Sequence, residues 1–201
     1  AARVSGDGAK REDDQRRERA CHAEMREVKR VAEEIAELTD RIHVLVNNAG
    51  GVRDAYYRTS EGLEATFAAN HLAPFLLTRA LLPQLEKAAA ETPAGTVRVI
   101  AVSSSAHLVC EGMNWDDLMM AQNFAANAAY CQAKLANLLF TRELDRRLSD
   151  KGIVAQAMHP GRVGSNFASH GDDAMQAYMA ANECVPPESP ARTIVWLATA
   201  P

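Results

Sequence analysis

Three short apolar runs, separated by long stretches of helical character, leave this chain few ways to fold. Ile42-His43-Val44-Leu45-Val46, Thr96-Val97-Arg98-Val99-Ile100-Ala101-Val102 and Ile153-Val154-Ala155-Gln156-Ala157-Met158 are rich in β-branched residues. Each stops at small or polar residues: Asn47 to Gly51, Ser103 to Ser105, and His159-Pro160-Gly161. Such runs read as buried strands closed by turns. No hairpin signal joins one to the next, so helices must carry the crossovers and the strands must run parallel. The expected class is α/β: a parallel sheet of at least three strands with helices packed on it.

The intervening stretches fit. From about Glu24, the residues Met25, Val28, Val31, Ala32, Ile35 and Leu38 mark one helical face and charges fill the other. A second helical stretch starts at Thr59-Ser60-Glu61-Gly62, with Thr59 as its cap, and runs to about Ala90; Pro74 and Pro83 should kink or divide it. A short helical piece is expected around Trp115 to Leu118. A long helix then covers Tyr130 to about Ser149 and ends at Lys151-Gly152. Residues 162–187 read as loop with one helix near Asp172–Ala181, and a last helix spans Glu188 to Ala198.

Composition narrows the functional classes. The 201 residues are one domain's worth of chain, and the net charge of −4 offers nothing to nucleic acid or an acidic membrane surface. Cys21, Cys110, Cys131 and Cys184 form no Cys-x-x-Cys pair and no zinc spacing, which points to free thiols in a reducing cytoplasm. No apolar run reaches membrane-spanning length. Residues 1–24, nearly all charged or polar from Lys10 to Arg19, read as a solvated arm, and 25–201 as the domain. Gly-x-Ser-x-Gly and His-Glu-x-x-His are both absent, against a serine hydrolase or a zinc protease.

In a parallel sheet the carboxyl ends of the strands line the ligand crevice. The three polar loops therefore converge there. Tyr130 and Lys134 are four apart, hence on one helix face. A fixed ammonium beside a phenol favours the phenolate and is expected to lower its pKa, which would suit the phenol to proton transfer. Alone the pair is most often a surface ring beside a solvated lysine.

Five ordered motifs change that reading. Val46-Asn47-Asn48-Ala49-Gly50, Asn70-His71-Leu72-Ala73-Pro74-Phe75-Leu76-Leu77-Thr78, Val102-Ser103-Ser104-Ser105-Ala106-His107, Ala129-Tyr130-Cys131-Gln132-Ala133-Lys134-Leu135-Ala136-Asn137 and His159-Pro160-Gly161 stand in order along the chain. Together they resemble the short-chain dehydrogenase/reductase family, and within it the retinol-dehydrogenase-like branch, over residues 25–200. The resemblance implies a partial Rossmann-like, doubly wound parallel sheet with helices on both faces, and an NAD(P)-dependent oxidoreductase acting on an apolar carbonyl or alcohol. Tyr130 would be the general acid/base, Lys134 would tune it and hold the nicotinamide ribose, Ser104 would hold the substrate oxygen, and Asn70 would complete a proton relay through a water. Asn47, Asn48, Ala49 and Gly50 would pack beside the adenosine ribose, and Pro160, Gly161, Val163 and Ser165 would frame the nicotinamide. A homodimer through helices 60–90 and 127–149 is implied as well.

One family element has no counterpart here. The strand and Thr-Gly-x-x-x-Gly-x-Gly turn that hold the cofactor pyrophosphate are not found, and 41 residues precede Ile42. The cofactor is therefore expected to be NADP or NAD, with neither chosen, and the chain reads as a copy lacking its first βαβ unit. The competing expectation is a catalytically silent fragment that serves as a folded or partner-binding module. An exposed edge on the first strand is expected to lower stability or promote association.

Overall fold

A computed structural model describes residues 23–200. The arm expected over residues 1–24 falls almost wholly outside the described residues, as does Cys21. The first helix, α1, spans Met25–Leu38. Its exposed face is laced by Arg30, which pairs with Glu27 at 2.9 Å and with Glu34 one turn on. Strand β1 (Val44–Asn47) follows. It starts two residues later than the apolar run suggests, because the Ile42 N–H donates to the Gln84 carbonyl at 3.2 Å.

The helix expected from Thr59 does not form there. Thr59 instead closes a turn, its Oγ1 accepting from the Leu63 N–H at 3.1 Å. The helical stretch begins at α2 (Ala65–Phe67), capped by the buried Glu64 carboxylate, which accepts from the N–H groups of Thr66 and Phe67 at 2.7 Å each. A π turn, Ala68–Leu72, comes next, followed by α3 (Ala73–Ala80) and α4 (Leu82–Ala90). Pro74 and Pro83 sit in the first turns of α3 and α4, so the prolines divide the stretch as expected.

Strand β2 covers Val97–Val102, α5 covers Ala126–Leu148 and β3 covers Ile153–Met158. Gly152, at φ +76°, turns the chain between α5 and β3. The three strands are parallel in the order β1-β2-β3, with Val46 opposite Ile100 and Ile100 opposite Gln156. Among the described residues no strand pairs with the outer edge of β1.

Alternate residues decide the two faces. Val97 and Val99 of β2, with Ile153 and Ala155 of β3, pack against Leu85 and Ala88 of α4 and Leu148 of α5. Both crossover helices thus cover one face. On the other, Arg98 donates to the Leu197 carbonyl at 2.7 Å and to the Ala200 carbonyl, tying down the end of α7 (Glu188–Thr199). That helix runs one residue beyond the expected end. Between β3 and α7 lie a 3₁₀ turn, Asn166–His170, and α6 (Asp173–Ala181).

The helical piece expected around Trp115 is absent. Residues 111–125 form turns, pinned by the Asp117 carboxylate, which accepts from Ala121 and Gln122 N–H at 2.8 and 3.0 Å. Asp117 thus holds the chain in a local turn that competes with helix.

Candidate active site

Two hydrogen bonds stitch the carboxyl end of β2 to α5. Ser103 Oγ donates to the Lys134 carbonyl at 2.9 Å, and Lys134 Nζ donates to the Val102 carbonyl at 3.0 Å. Ser103 is thereby committed to the scaffold. Ser104, the next residue, caps the following 3₁₀ turn, its Oγ accepting from the Ala106 N–H at 3.2 Å, and it lies near enough to the Tyr130 phenol to oppose a rise in its pKa. Its backbone is held in turn by His107, whose Nδ1 lies 2.6 Å from the Ser104 carbonyl. Ser103 thus faces the helix backbone, while Ser104 caps the turn that follows β2.

Tyr130 and Lys134 share one buried face of α5, with Nζ 5.6 Å from the ring centroid. The expected lowering of the phenol pKa is not what this arrangement gives. Burial pushes Tyr130 up to about 12, opposed by Ser104. Burial also pushes Lys134 down to about 8. Both shifts have the same cause: each charged form is denied water. The ammonium meanwhile spends a hydrogen bond on Val102.

Asn70 lies on the π turn, 1% exposed. Its Nδ2 donates to the carbonyls of Gly51 and Thr66 at 2.7 Å each, and its Oδ1 accepts from the Gly51 N–H at 3.2 Å. Both amide hydrogens are used, so toward any water the side chain can only accept. Gly50 is where these groups meet. A Cβ built there would lie 2.5 Å from Asn70 Oδ1 and 3.5 Å from Lys134 Nζ. Glycine is needed at this position because two polar side chains close on it.

The other expected contacts are more dispersed. Asn47 is buried and donates to Thr78 Oγ1 at 2.9 Å, so it ties β1 to α3. Asn48 and Ala49 are exposed in the turn beyond it. Gly161 turns at φ +77° after the half-buried Pro160. Val163 pairs with Val185, and Ser165 caps the 3₁₀ turn that carries Phe167. Phe167 sets its ring edge-on to Tyr130, 5.3 Å between centroids. That contact has no local sequence signal. Asn137 is also unanticipated: its Nδ2 donates to the Asn70 carbonyl at 2.8 Å. An Asn in mid-helix, three residues past Lys134, is the signal that was there to be used.

Comparison with known proteins agrees with this geometry. Residues 19–176 match the family described as short chain dehydrogenase. The chain belongs to the short-chain dehydrogenase/reductase family, in its retinol-dehydrogenase-like branch. Human retinol dehydrogenase 13 is 39% identical over 149 residues, 74% of this chain and 43% of that protein. Human retinol dehydrogenase 14 is 38% identical over 148 residues, 74% of this chain and 42% of that protein. The chain thus spans less than half the length of these relatives. Among solved structures, the Pseudomonas aeruginosa RhlG/NADP active-site complex is 26% identical, with a TM-score of 0.63 over 89% of this chain and 68% of that one. NADPH-bound carbonyl reductase from chicken fatty liver is 25% identical, also at TM-score 0.63, over 88% and 64%. Within this family the parallel sheet is a part of the Rossmann fold.

Among the described residues no group of three His, Cys, Asp or Glu side chains is placed to hold a metal ion, and no helix is long and apolar enough to cross a membrane. Cys110, Cys131 and Cys184 are free thiols.

Proposed function

We propose that this chain carries the proton-transfer half of an NAD(P)-dependent oxidoreductase acting on an apolar carbonyl or alcohol. The observation that carries the proposal is one buried pair on α5, the Tyr130 phenol with the Lys134 ammonium 5.6 Å from its ring centroid, beside which Ser104 acts to hold the phenol pKa down. A donor and a proton-bearing phenol side by side suit a single substrate oxygen. Ser104 holds that oxygen. Tyr130 gives it a proton in reduction and takes one in oxidation. Lys134 holds ribose hydroxyls and stabilises the phenolate. Asn70 accepts a hydrogen bond from a relay water.

The residues at the strand ends fit the nicotinamide end of such a cofactor. The space at Gly50 is open to approach only because no Cβ fills it, and Gly161, Pro160, Val163 and Ser165 form a compact rim after β3. Asn48 and Ala49 extend the rim toward an adenosine ribose, with Asn47 behind them bracing the sheet. When bound, the nicotinamide supplies or accepts a hydride. The relatives described as NADP- and NADPH-bound support NADP or NAD as the cofactor. No glycine-rich phosphate turn stands in the sequence, so the fit covers the nicotinamide end alone.

An apolar substrate is favoured by the loop after Ser104. Leu108, Val109 and Trp115 are each more than 70% exposed there. A second copy of the chain is proposed against α3 and α5, where Phe75 and Leu139 are exposed and the Phe75 and Phe140 rings stack edge-on at 5.2 Å. The cytoplasm is proposed as the compartment, in keeping with the free thiols of Cys110, Cys131 and Cys184.

The test is calorimetric titration of the chain with NADPH and NADH, then turnover of an apolar aldehyde by wild type and Tyr130→Phe. Cofactor binding, with turnover reduced about 10²–10⁴-fold in the variant, is expected. Undiminished turnover in Tyr130→Phe refutes the assignment. A second reading, a folded module without turnover, is favoured by Phe167 packing onto Tyr130. It wins if the folded chain binds neither nucleotide.

A further inference from the structure

Asn70 holds its place although the helix around it is interrupted. In an α-helix its carbonyl would accept from the N–H four residues on. That residue is Pro74, which has no N–H, and whose ring crowds the same carbonyl. The chain answers with a π turn over Ala68–Leu72, in which the Ala73 N–H reaches back five residues to the Ala68 carbonyl. The donor that Pro74 cannot give comes from another helix: Asn137 Nδ2, 2.8 Å from the Asn70 carbonyl.

Asn137 is itself held in one orientation. Its Oδ1 lies 3.1 Å from His71 Nδ1, and a carboxamide oxygen can only accept, so His71 carries its proton on Nδ1. A flipped amide would set an oxygen against the Asn70 carbonyl, so that contact fixes the amide, and the amide in turn fixes the His71 tautomer. Asn137 is 4% exposed and His71 is packed among Phe67, Phe75 and Phe140, which leaves water little access as a substitute. Thr141 Oγ1, donating to the Asn137 carbonyl at 2.8 Å, fixes the backbone from which the side chain reaches.

We propose that Asn137, paired with His71, is a positioning residue for the Asn70–Gly50–Lys134 corner of the site, supplying from α5 the hydrogen bond that Pro74 denies to the π turn. The consequence runs through Asn70. Its carboxamide grips both polar backbone groups of Gly51, and its Oδ1 and Lys134 Nζ close on the same point beside Gly50. Removing the Asn137 amide leaves a buried carbonyl short of a donor. The π turn then shifts, the grip on Gly51 slackens, and water gains access to the ammonium.

The purpose of this corner rests on the oxidoreductase reading, but its test needs no turnover. Asn137→Leu keeps the side-chain volume and deletes both hydrogen bonds. His71→Phe keeps the amide and deletes its hydrogen-bond partner. Hydrogen exchange by nuclear magnetic resonance reads the Gly51 amide, with the amides of α7 as reference. In Asn137→Leu the Gly51 amide is expected to exchange about 10-fold faster than in wild type, with the α7 amides unchanged, the loss of one buried hydrogen bond being worth about 1.4 kcal/mol. The Lys134 titration, followed on its side-chain resonances, is expected to move up by about one pH unit as burial is relieved. His71→Phe should move both in the same direction by less, and it decides alone if Asn137→Leu does not fold. Unchanged Gly51 exchange and an unchanged Lys134 titration overturn the proposal, as does uniform acceleration of all amides. A chain that shows both effects yet never binds nucleotide keeps the positioning role and refutes only the oxidoreductase reading.

Discussion

Replacing Gly50 by Ala puts one methyl group where two polar side chains converge, and the sign of its effect is fixed by that geometry. Gly50 does not lie in the left-handed region, so alanine is allowed by the backbone. In open space the change would stabilise the fold by about 0.4–1 kcal/mol, by restricting the unfolded chain. The new Cβ, however, stands 2.5 Å from Asn70 Oδ1, roughly half an ångström or more inside an ordinary contact. Asn70 cannot retreat freely, because its amide makes hydrogen bonds to the Gly51 N–H, the Gly51 carbonyl and the Thr66 carbonyl. Giving up two or three of these at about 1 kcal/mol each costs about 2–3 kcal/mol. Subtracting the chain-entropy gain leaves a net destabilisation of about 1–2.5 kcal/mol. Urea unfolding followed by circular dichroism measures it. Gly51→Ala is the control: nothing lies within 4 Å of its Cβ, so it should be neutral or slightly stabilising. If the two variants unfold within about 0.5 kcal/mol of each other, with equal denaturant slopes, the argument for Gly50 fails.

Two further outcomes are expected. The pH dependence of stability should show Lys134 and Tyr130 in sequence. Lys134 loses its proton near pH 8 when folded and near its ordinary 10.5 when unfolded, so the unfolded state binds more protons in that window and stability rises with pH. Tyr130 keeps its proton to about 12 when folded but ionises near 10 when unfolded, so above pH 10 stability falls. Urea titrations of wild type and Lys134→Met across pH 7–11 check this; the same rise in both would sink the Lys134 assignment. Sedimentation of wild type and Phe75→Asp tests the second-copy surface on α3 and α5: a dimer that the charge dissociates is expected, and a wild-type monomer at high micromolar concentration rules it out.

The strands were legible because each run is short, rich in β-branched residues and closed by turn residues. The run Ile153–Met158 is the observed strand, and Val97–Val102 begins one residue inside its run. The prolines marked where the second helical stretch breaks, since a ring without an N–H acts locally. The form of the break was not legible. A π turn depends on Asn137 arriving from 67 residues away, and no local pattern reports that. The same holds for the turn at 111–125. Trp115-Asp116-Asp117-Leu118 has the look of a helical turn, but Gln132 of α5 accepts from the Asn114 N–H at 2.8 Å and donates to the Leu118 carbonyl at 3.0 Å, fixing another shape. Thr59 was read as a cap from its residue type, whereas Glu64 is the residue buried where two helical N–H groups point. At the site, motif order picked out Tyr130, Lys134, Ser104 and Asn70, which the fold brings to one corner. It could not report Phe167, whose contact with Tyr130 is set by how the segment after β3 folds back.

The pKa shifts at that corner say what the site is prepared for. A phenol pushed up and an ammonium pushed down are not independent facts, because the same removal of water produces both. In this structure the Lys134 ammonium donates to the Val102 carbonyl, and Ser104 opposes the upward shift of the phenol. Anything that rehydrates the corner must therefore move the two groups toward each other, the phenol downward and the ammonium upward. Phe167, edge-on to the ring, is placed to oppose that rehydration, while Ser103 and Asn137 keep the helix and the π turn in register whichever way the pair is set. The hydrogen-bonded scaffold and the titration of Tyr130 are thus separable in this chain: the first is built into hydrogen bonds between β2, α5 and the π turn, and the second depends on what shares the corner with the phenol.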